Sequence, residues 1–227
     1  MSYGQFCPVA KAADVLCQRW AILVVRELLN GSTRFRDLQR GVPGCPPATL
    51  SKRLKELTIA GVVERQEGDD GAGYVLTAAG WELYPIVEGF GQWGQRWVRG
   101  TYEPDELDVE VLLWDLRRFL DPAGLGVDKA VVQLDVRAPG ELTRCFWIVV
   151  EGGAVDLCLI DPERTVDAVV DADLRALTRV WMGDLAMDEA VRSGEVALAG
   201  PARLTRRIPA WIGAHPILAP VARAVAG

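Results

Sequence analysis

Leu50, Leu54 and Leu57 recur at i, i+4, i+7, so a helix over this stretch turns all three toward one core. At the helical period the opposite arc carries Ala48, Thr49, Ser51, Lys52, Lys55 and Glu56, with Arg53 on the flank. Pro47 suits the first turn, where its missing N–H is no loss. Gly61 ends the helix, and Val62-Val63-Glu64-Arg65 then pairs with Tyr74-Val75-Leu76-Thr77 around a Gly/Asp tip. Ahead of it, RFRDLQRG reads as a shorter helix closed by a Gly/Pro turn. The order is therefore helix, turn, helix, hairpin.

By itself SKRLKEL is an amphipathic helix with a solvated polar face. The order around it adds meaning. Small and cationic residues at the exposed N-terminal end of such a helix fit a major groove, and the hairpin behind it makes a wing. From Arg34 to Arg65 seven Lys and Arg residues stand against Asp37, Glu56 and Glu64, in a chain whose net charge is −6. A basic patch in an acidic protein points to a confined phosphate-binding surface. This is a winged helix-turn-helix pattern. In it, the Pro47–Lys55 end of the helix enters the groove with Thr49, Ser51 and Lys52 facing base edges, Arg36, Arg40, Arg53 and Lys55 mainly hold phosphates, and Arg34 belongs to the same DNA-binding set.

A chain of 227 residues is natural for two domains. Residues 1–100 hold 12 Lys+Arg against 10 Asp+Glu, and residues 101–227 hold 13 against 21. Only the first part can approach nucleic acid comfortably. No apolar run of signal-peptide type opens the chain, and no stretch nears the roughly 20 residues a membrane helix needs. Five cysteines, odd in number and without a C-x-x-C pair, argue against a disulfide framework and for a reducing cytoplasm.

Taken in order, Cys7–Cys17 reads as a first helix with Pro8 early in it, and WAILVVRELL as a strongly apolar core helix stopped by Asn30-Gly31. Thr77 to about Val98 follows as a helix with Leu83, Val87, Phe90 and Trp97 in one stripe, widened by Trp81, Tyr84 and Trp93. Pro85 should kink it or start a new segment. So much aromatic surface on a terminal helix calls for a second subunit. The expected dimer surface is the N-terminal helix together with the Trp81–Trp97 helix.

These pieces in combination resemble the HxlR-type winged-helix transcriptional regulators. The matching motifs are the opening Cys-Pro, the Trp-x-x-x-x-x-x-Glu-Leu core helix, Arg-Phe-x-x-Leu, Leu-Ser-x-Arg-Leu-x-x-Leu and Leu-Thr-x-x-Gly, across roughly residues 6–98. The resemblance implies a dimeric bacterial-type regulator that binds double-stranded DNA. One departure is the wing tip, Glu67-Gly68-Asp69-Asp70-Gly71, whose acidic charge works against a phosphate contact there.

The expected domains are 1–98, a linker over 99–106, and 107–227. In the last, Leu107–Leu120 reads as an amphipathic helix, and Val132, Leu134 and Val136 as a half-buried strand. Cys145–Val150 is an apolar strand, turned by Gly152-Gly153 into Val155, Leu157 and Leu159. Helices over Asp173–Trp181 and Met187–Ser193, a strand over Glu195–Ala199 and a last helix over Ala202–Trp211 complete an α+β domain with an antiparallel sheet. From Val131 to Ile212 this resembles the sterol carrier protein-2 fold, on the Gly-Gly hairpin, Asp-x-Asp-Leu, Met-Gly-Asp, Ala-Val-x-Ser-Gly and Ala-Gly-Pro-Ala. That resemblance implies a hydrophobic tunnel for lipophilic molecules.

No catalytic set, metal-ligand spacing or phosphate-cradling loop stands out, and no cofactor is called for. The single histidine, His215, precedes Pro and belongs to no motif. Cys7 has two readings: a small hydrophobe at a helix start, or a redox sensor whose thiol gains acidity there, a role that some members of the resembling family assign to this position. Trp114, Phe146, Trp147, Trp181 and Met182 are core by default, and some of them would line a ligand cavity. Two functions stand open. One is a DNA-binding regulator with a lipophilic effector, and the other is a carrier or binding module in which the winged helix serves only dimerisation.

Overall fold

The computed structural model describes residues 3–68, 71–98, 102–103, 106–138, 140 and 142–226, with the backbone alone for 223–226. Asp69 and Asp70 of the acidic wing tip lie outside the described residues, as do residues 99–101, 104 and 105 of the expected linker. The chain divides into two compact units, Met1–Gly91 and Gln92–Gly227.

The first unit begins with α1 (Pro8–Leu16) and α2 (Ala21–Leu29), followed by α3 (Phe35–Gly41) and α4 (Pro47–Ile59). Pro8 and Pro47 both sit in first turns, where a proline costs no hydrogen bond. The three leucines of α4 are fully buried and meet Val24, Val25 and Leu28 of α2 and Leu38 of α3. The wing is β1 (Val63–Gly68) against β2 (Gly71–Leu76), antiparallel from Val63↔Leu76 to Gly68↔Gly71. Val63 and Leu76 at its base enter the core, Tyr74 packs against it, and the Tyr74 N–H donates to the Thr33 carbonyl at 2.8 Å, while β1 beyond Val63 is exposed.

Thr77 then caps α5 (Ala78–Trp81), its Oγ1 accepting from Gly80 N at 3.1 Å and donating to the Gly61 carbonyl at 2.6 Å. Gly80 is required by contact: a Cβ there would lie 2.2 Å from the Val62 carbonyl. The Leu-Thr-x-x-Gly motif is thus a cap plus a close crossing. Pro85 starts a new helix rather than kinking the old one, as the second residue of α6 (Tyr84–Trp97). The division into units falls within α6, after Gly91.

The second unit sets helices against one face of a sheet. Its elements are α7 (Val109–Phe119), β3 (Lys129–Arg137), β4 (Arg144–Glu151), β5 (Ala154–Cys158), β6 (Ala168–Asp173), α8 (Leu174–Met182), α9 (Met187–Ser193), β7 (Val196–Ala199), α10 (Ala202–Thr205), α11 (Ile208–Ile212) and α12 (Ala219–Ala226). The strand order is β5-β4-β3-β6-β7. Leu134, Val136, Phe146, Ile148, Val150, Val170 and Ala172 face Leu113, Leu116, Leu177, Val180 and Trp211 in one core.

The sheet is mixed, which corrects the expected antiparallel one. β3 pairs antiparallel with β4 but parallel with β6, from Val132↔Ala168 to Arg137↔Asp173. The strand responsible, β6, went unread because its buried residues are small (Ala168, Val170, Ala172) and run straight into a helix capped by Asp173. The expected last helix also divides into α10 and α11, and α12 follows it unannounced.

Candidate functional site

The sequence expectation placed nine residues on a DNA-facing surface, and the structure separates them by what else they hold. Lys52 is 67% exposed and has only a loose 3.9 Å approach to Glu56 one turn on. Lys55, Arg36 and Ser51 are exposed, and among the described residues none of them makes an ion pair or side-chain hydrogen bond. Pro47 is exposed and Thr49 half-buried at the same N-terminal end of α4. Together they form an outward, cationic end on a helix held by its leucines.

Three other cations are engaged within the chain. The Arg34 guanidinium donates to the Gly71 carbonyl, binding the start of α3 to the wing. Arg40 lies 3.9 Å from Asp37 on its own helix. Arg53, expected to hold phosphate, has a side chain only 13% exposed and is bonded to Glu56 and to the Arg19 carbonyl. Sequence had no way to foresee the last contact, because Arg19 lies in the corner between α1 and α2, where Trp20 takes the left-handed φ of 77°. The neighbouring Cys45 is buried in the turn before α4, and burial pushes its thiol pKa up. Cys7 is a half-buried free thiol at the N-cap of α1.

A second exposed feature runs along α6. Ile86, Phe90, Trp93 and Trp97 are spaced four, three and four residues apart, and all are more than half exposed. Leu83 and Val87, expected in the same stripe as Phe90, pack instead against the core of the first unit. Phe6 and Val9 beside α1 are exposed as well.

In the second unit four of the five expected cavity residues lie on the core side of the sheet, and Trp147 stands apart. Phe146 and Trp147 are consecutive on β4 and so point to opposite faces. Phe146 enters the core, whereas Trp147 lies beside Gln133 and Cys158 on the other side of the sheet. Trp114 and Trp181 belong to the core, with Met182 packed at its margin. Trp181 donates from Nε1 to Asp115 Oδ2 at 2.9 Å, and Trp114 lies beneath the guanidinium of Arg117 at 4.9 Å.

His215 is buried there too. Its ring packs on Phe119 and Trp181, its own N–H donates to the Trp181 carbonyl at 2.7 Å, and Nε2 lies 3.8 Å from Asp115 Oδ2. Nδ1 accepts the backbone N–H groups of Ile217 and Leu218, each at 3.2 Å, which caps the turn into α12 and leaves that nitrogen no lone pair for a substrate. Among the described residues no group of His, Cys, Asp and Glu could hold a metal ion, and no helix is long and apolar enough to cross a membrane.

A family model for HxlR-like helix-turn-helix proteins matches residues 15–102. YvaP of Bacillus subtilis (strain 168), an uncharacterized HTH-type transcriptional regulator, is 38% identical over 106 residues, which span 45% of this chain and 98% of that protein. Among solved structures, the reduced form of the transcriptional regulator YodB from B. subtilis is 29% identical, covering 41% of this chain and 95% of that one at a TM-score of 0.37. The apo form of sterol carrier protein 2 from Yarrowia lipolytica covers 50% of this chain and 95% of its own at 10% identity and a TM-score of 0.40. Scores of that size leave each fold to be judged on its own elements, and the second likeness brings no ligand with it.

Proposed function

The chain belongs to the HxlR-like helix-turn-helix family of transcriptional regulators, and from that premise we propose that it binds double-stranded DNA as a homodimer. The end of α4 from Pro47 to Lys55 enters the major groove, with Thr49, Ser51 and Lys52 toward base edges and Arg36, Arg40 and Lys55 on phosphates. The observation that carries this reading is the outward cationic end of a helix whose opposite side is fixed by three fully buried leucines. Such a helix can meet a groove without moving. The exposed stripe of α6, with Phe6 and Val9, joins the two copies, since apolar patches of this kind mark interfaces. The protein works in the cytoplasm, and its second unit takes a lipophilic effector.

The test uses the full chain and a duplex that it selects from a random library. Changing Arg36 and Lys55 to Ala together should weaken binding and lower the slope of log Kd against log salt by about 3.6, the share of four phosphate contacts, two in each protomer of the dimer. An unaltered slope would remove the assignment. The acidic charge of residues 101–227 favours the second reading, a binding module in which the winged helix only dimerises. Enrichment of no duplex at low salt, by a protein that is still dimeric, would select that reading.

A further inference from the structure

We infer that Arg53 is a positioning residue, which fixes the recognition helix against the corner between α1 and α2 instead of holding a phosphate. The inference rests on the DNA-binding reading above. Arg53 and Lys52 are adjacent on α4, yet their side chains are 13% and 67% exposed. Arg53 Nε donates to the Arg19 carbonyl at 2.8 Å, and its Nη1 is bonded to the Glu56 carboxylate. With Nε and Nη1 turned to partners within the chain and the side chain mostly covered, the guanidinium would have to give up the Arg19 contact to swing out to a phosphate, and that loss works against the gain.

The corner itself is unusual. Trp20 sits at φ 77°, ψ −18°, a region that bulky residues rarely adopt and that surrounding contacts must hold in place. Those contacts are present. The Arg19 guanidinium stacks 5.3 Å from the Trp20 ring. On its other side the indole lies against Gly44, where a Cβ would come within 3.2 Å of it. Gly44 belongs to the turn that leads into α4. The corner therefore grips the recognition helix twice, through Trp20 at the turn before it and through Arg53 in its second turn. It is also where α1 joins α2, so the position of α1 is handed to α4 through these two contacts.

The experiment compares Arg53→Lys and Arg53→Met with Lys55→Ala in the full chain. It measures binding to a library-selected duplex and to a random-sequence duplex across salt, and amide hydrogen exchange without DNA. A strut predicts faster exchange in the first half of α4 and at residues 17–20 for both Arg53 variants. It also predicts selected-duplex affinity lower by about tenfold, the worth of one charge-assisted hydrogen bond. Random-duplex affinity and the salt slope should stay as in the unmodified protein, whereas Lys55→Ala should lower the slope by about 1.8, one phosphate contact in each protomer. Unchanged exchange overturns the strut. So does an Arg53→Met variant that loses about 1.8 of slope and weakens both duplexes alike, which is the mark of one phosphate contact in each protomer. An unmodified protein that binds neither duplex at low salt overturns the DNA reading itself and, with it, any part for Arg53 in recognition.

Discussion

Glu27 is fully buried in the first unit, although its type almost never is. Its Oε1 meets Arg26 Nη2 at 2.9 Å, Ser32 Oγ donates to Oε2 at 3.4 Å, and the same Arg26 nitrogen also donates to the Gly41 carbonyl at 2.9 Å. Arg26, held by this carboxylate, thus ties the end of α2 to the end of α3, the helix that precedes the recognition turn. Gly41 makes the approach feasible, because a Cβ there would lie 1.9 Å from Oε2. Removing one partner of a buried pair is costly, though Arg26 is itself 40% exposed and can recover water. Glu27→Ala should therefore cost about 2 kcal/mol in a urea melt of the full chain, and Glu27→Gln less. A loss near zero for Glu27→Ala would show that the carboxylate is only tolerated there.

At the scale of elements, α6 has two fates along its length. Val87, with Leu83 just before the helix, packs against the first core, while Ile86, Phe90, Trp93 and Trp97 face outward. Farther along, Gln95 is buried and donates from Nε2 to the Met182 carbonyl at 3.2 Å, close to the C-terminal end of α8. An outward apolar stripe of this size is expensive to leave wet. If it is the dimer contact, Phe90→Ala and Trp93→Ala should each weaken dimerisation by about 2 kcal/mol or more, the range of aromatic anchors at interface centres. Sedimentation would then show monomer appearing at a concentration where the unmodified chain is dimeric. An unchanged profile would leave the stripe to another partner.

For the whole molecule the question is whether the second unit takes a ligand that acts on DNA binding. Its core supplies Trp114, Phe146, Trp181 and Trp211 around one side of the sheet, and Trp147 stands apart on the other. A lipophilic effector can regulate only by binding one arrangement of the dimer better than another. Titrating an environment-sensitive apolar fluorophore into the full chain, with and without the selected duplex, should therefore give two different affinities. Equal affinities would leave the second unit a binding module without control over DNA, and no uptake at all would remove the effector.

The local code of this protein was legible from residue order alone. The 3.6-residue spacing of Leu50, Leu54 and Leu57, Pro47 at a helix start and the Gly-Gly turn at Gly152-Gly153 each act within a few residues, so they fixed α4 and the β4–β5 hairpin before any fold was drawn. The α+β character of the second unit followed from the same short-range signals. What sequence could not reach were facts made by distant chain. Pairing partners are absent from a strand's own residues, so β6 and its parallel match to β3 stayed hidden, and the sheet was expected to be antiparallel. Whether a surface cation is free depends on what folds next to it, so Lys55 and Arg53 looked alike two positions apart. Only the tertiary structure brought Arg19 within 2.8 Å of Arg53, because it alone sets the left-handed corner at Trp20 that points that carbonyl toward the recognition helix.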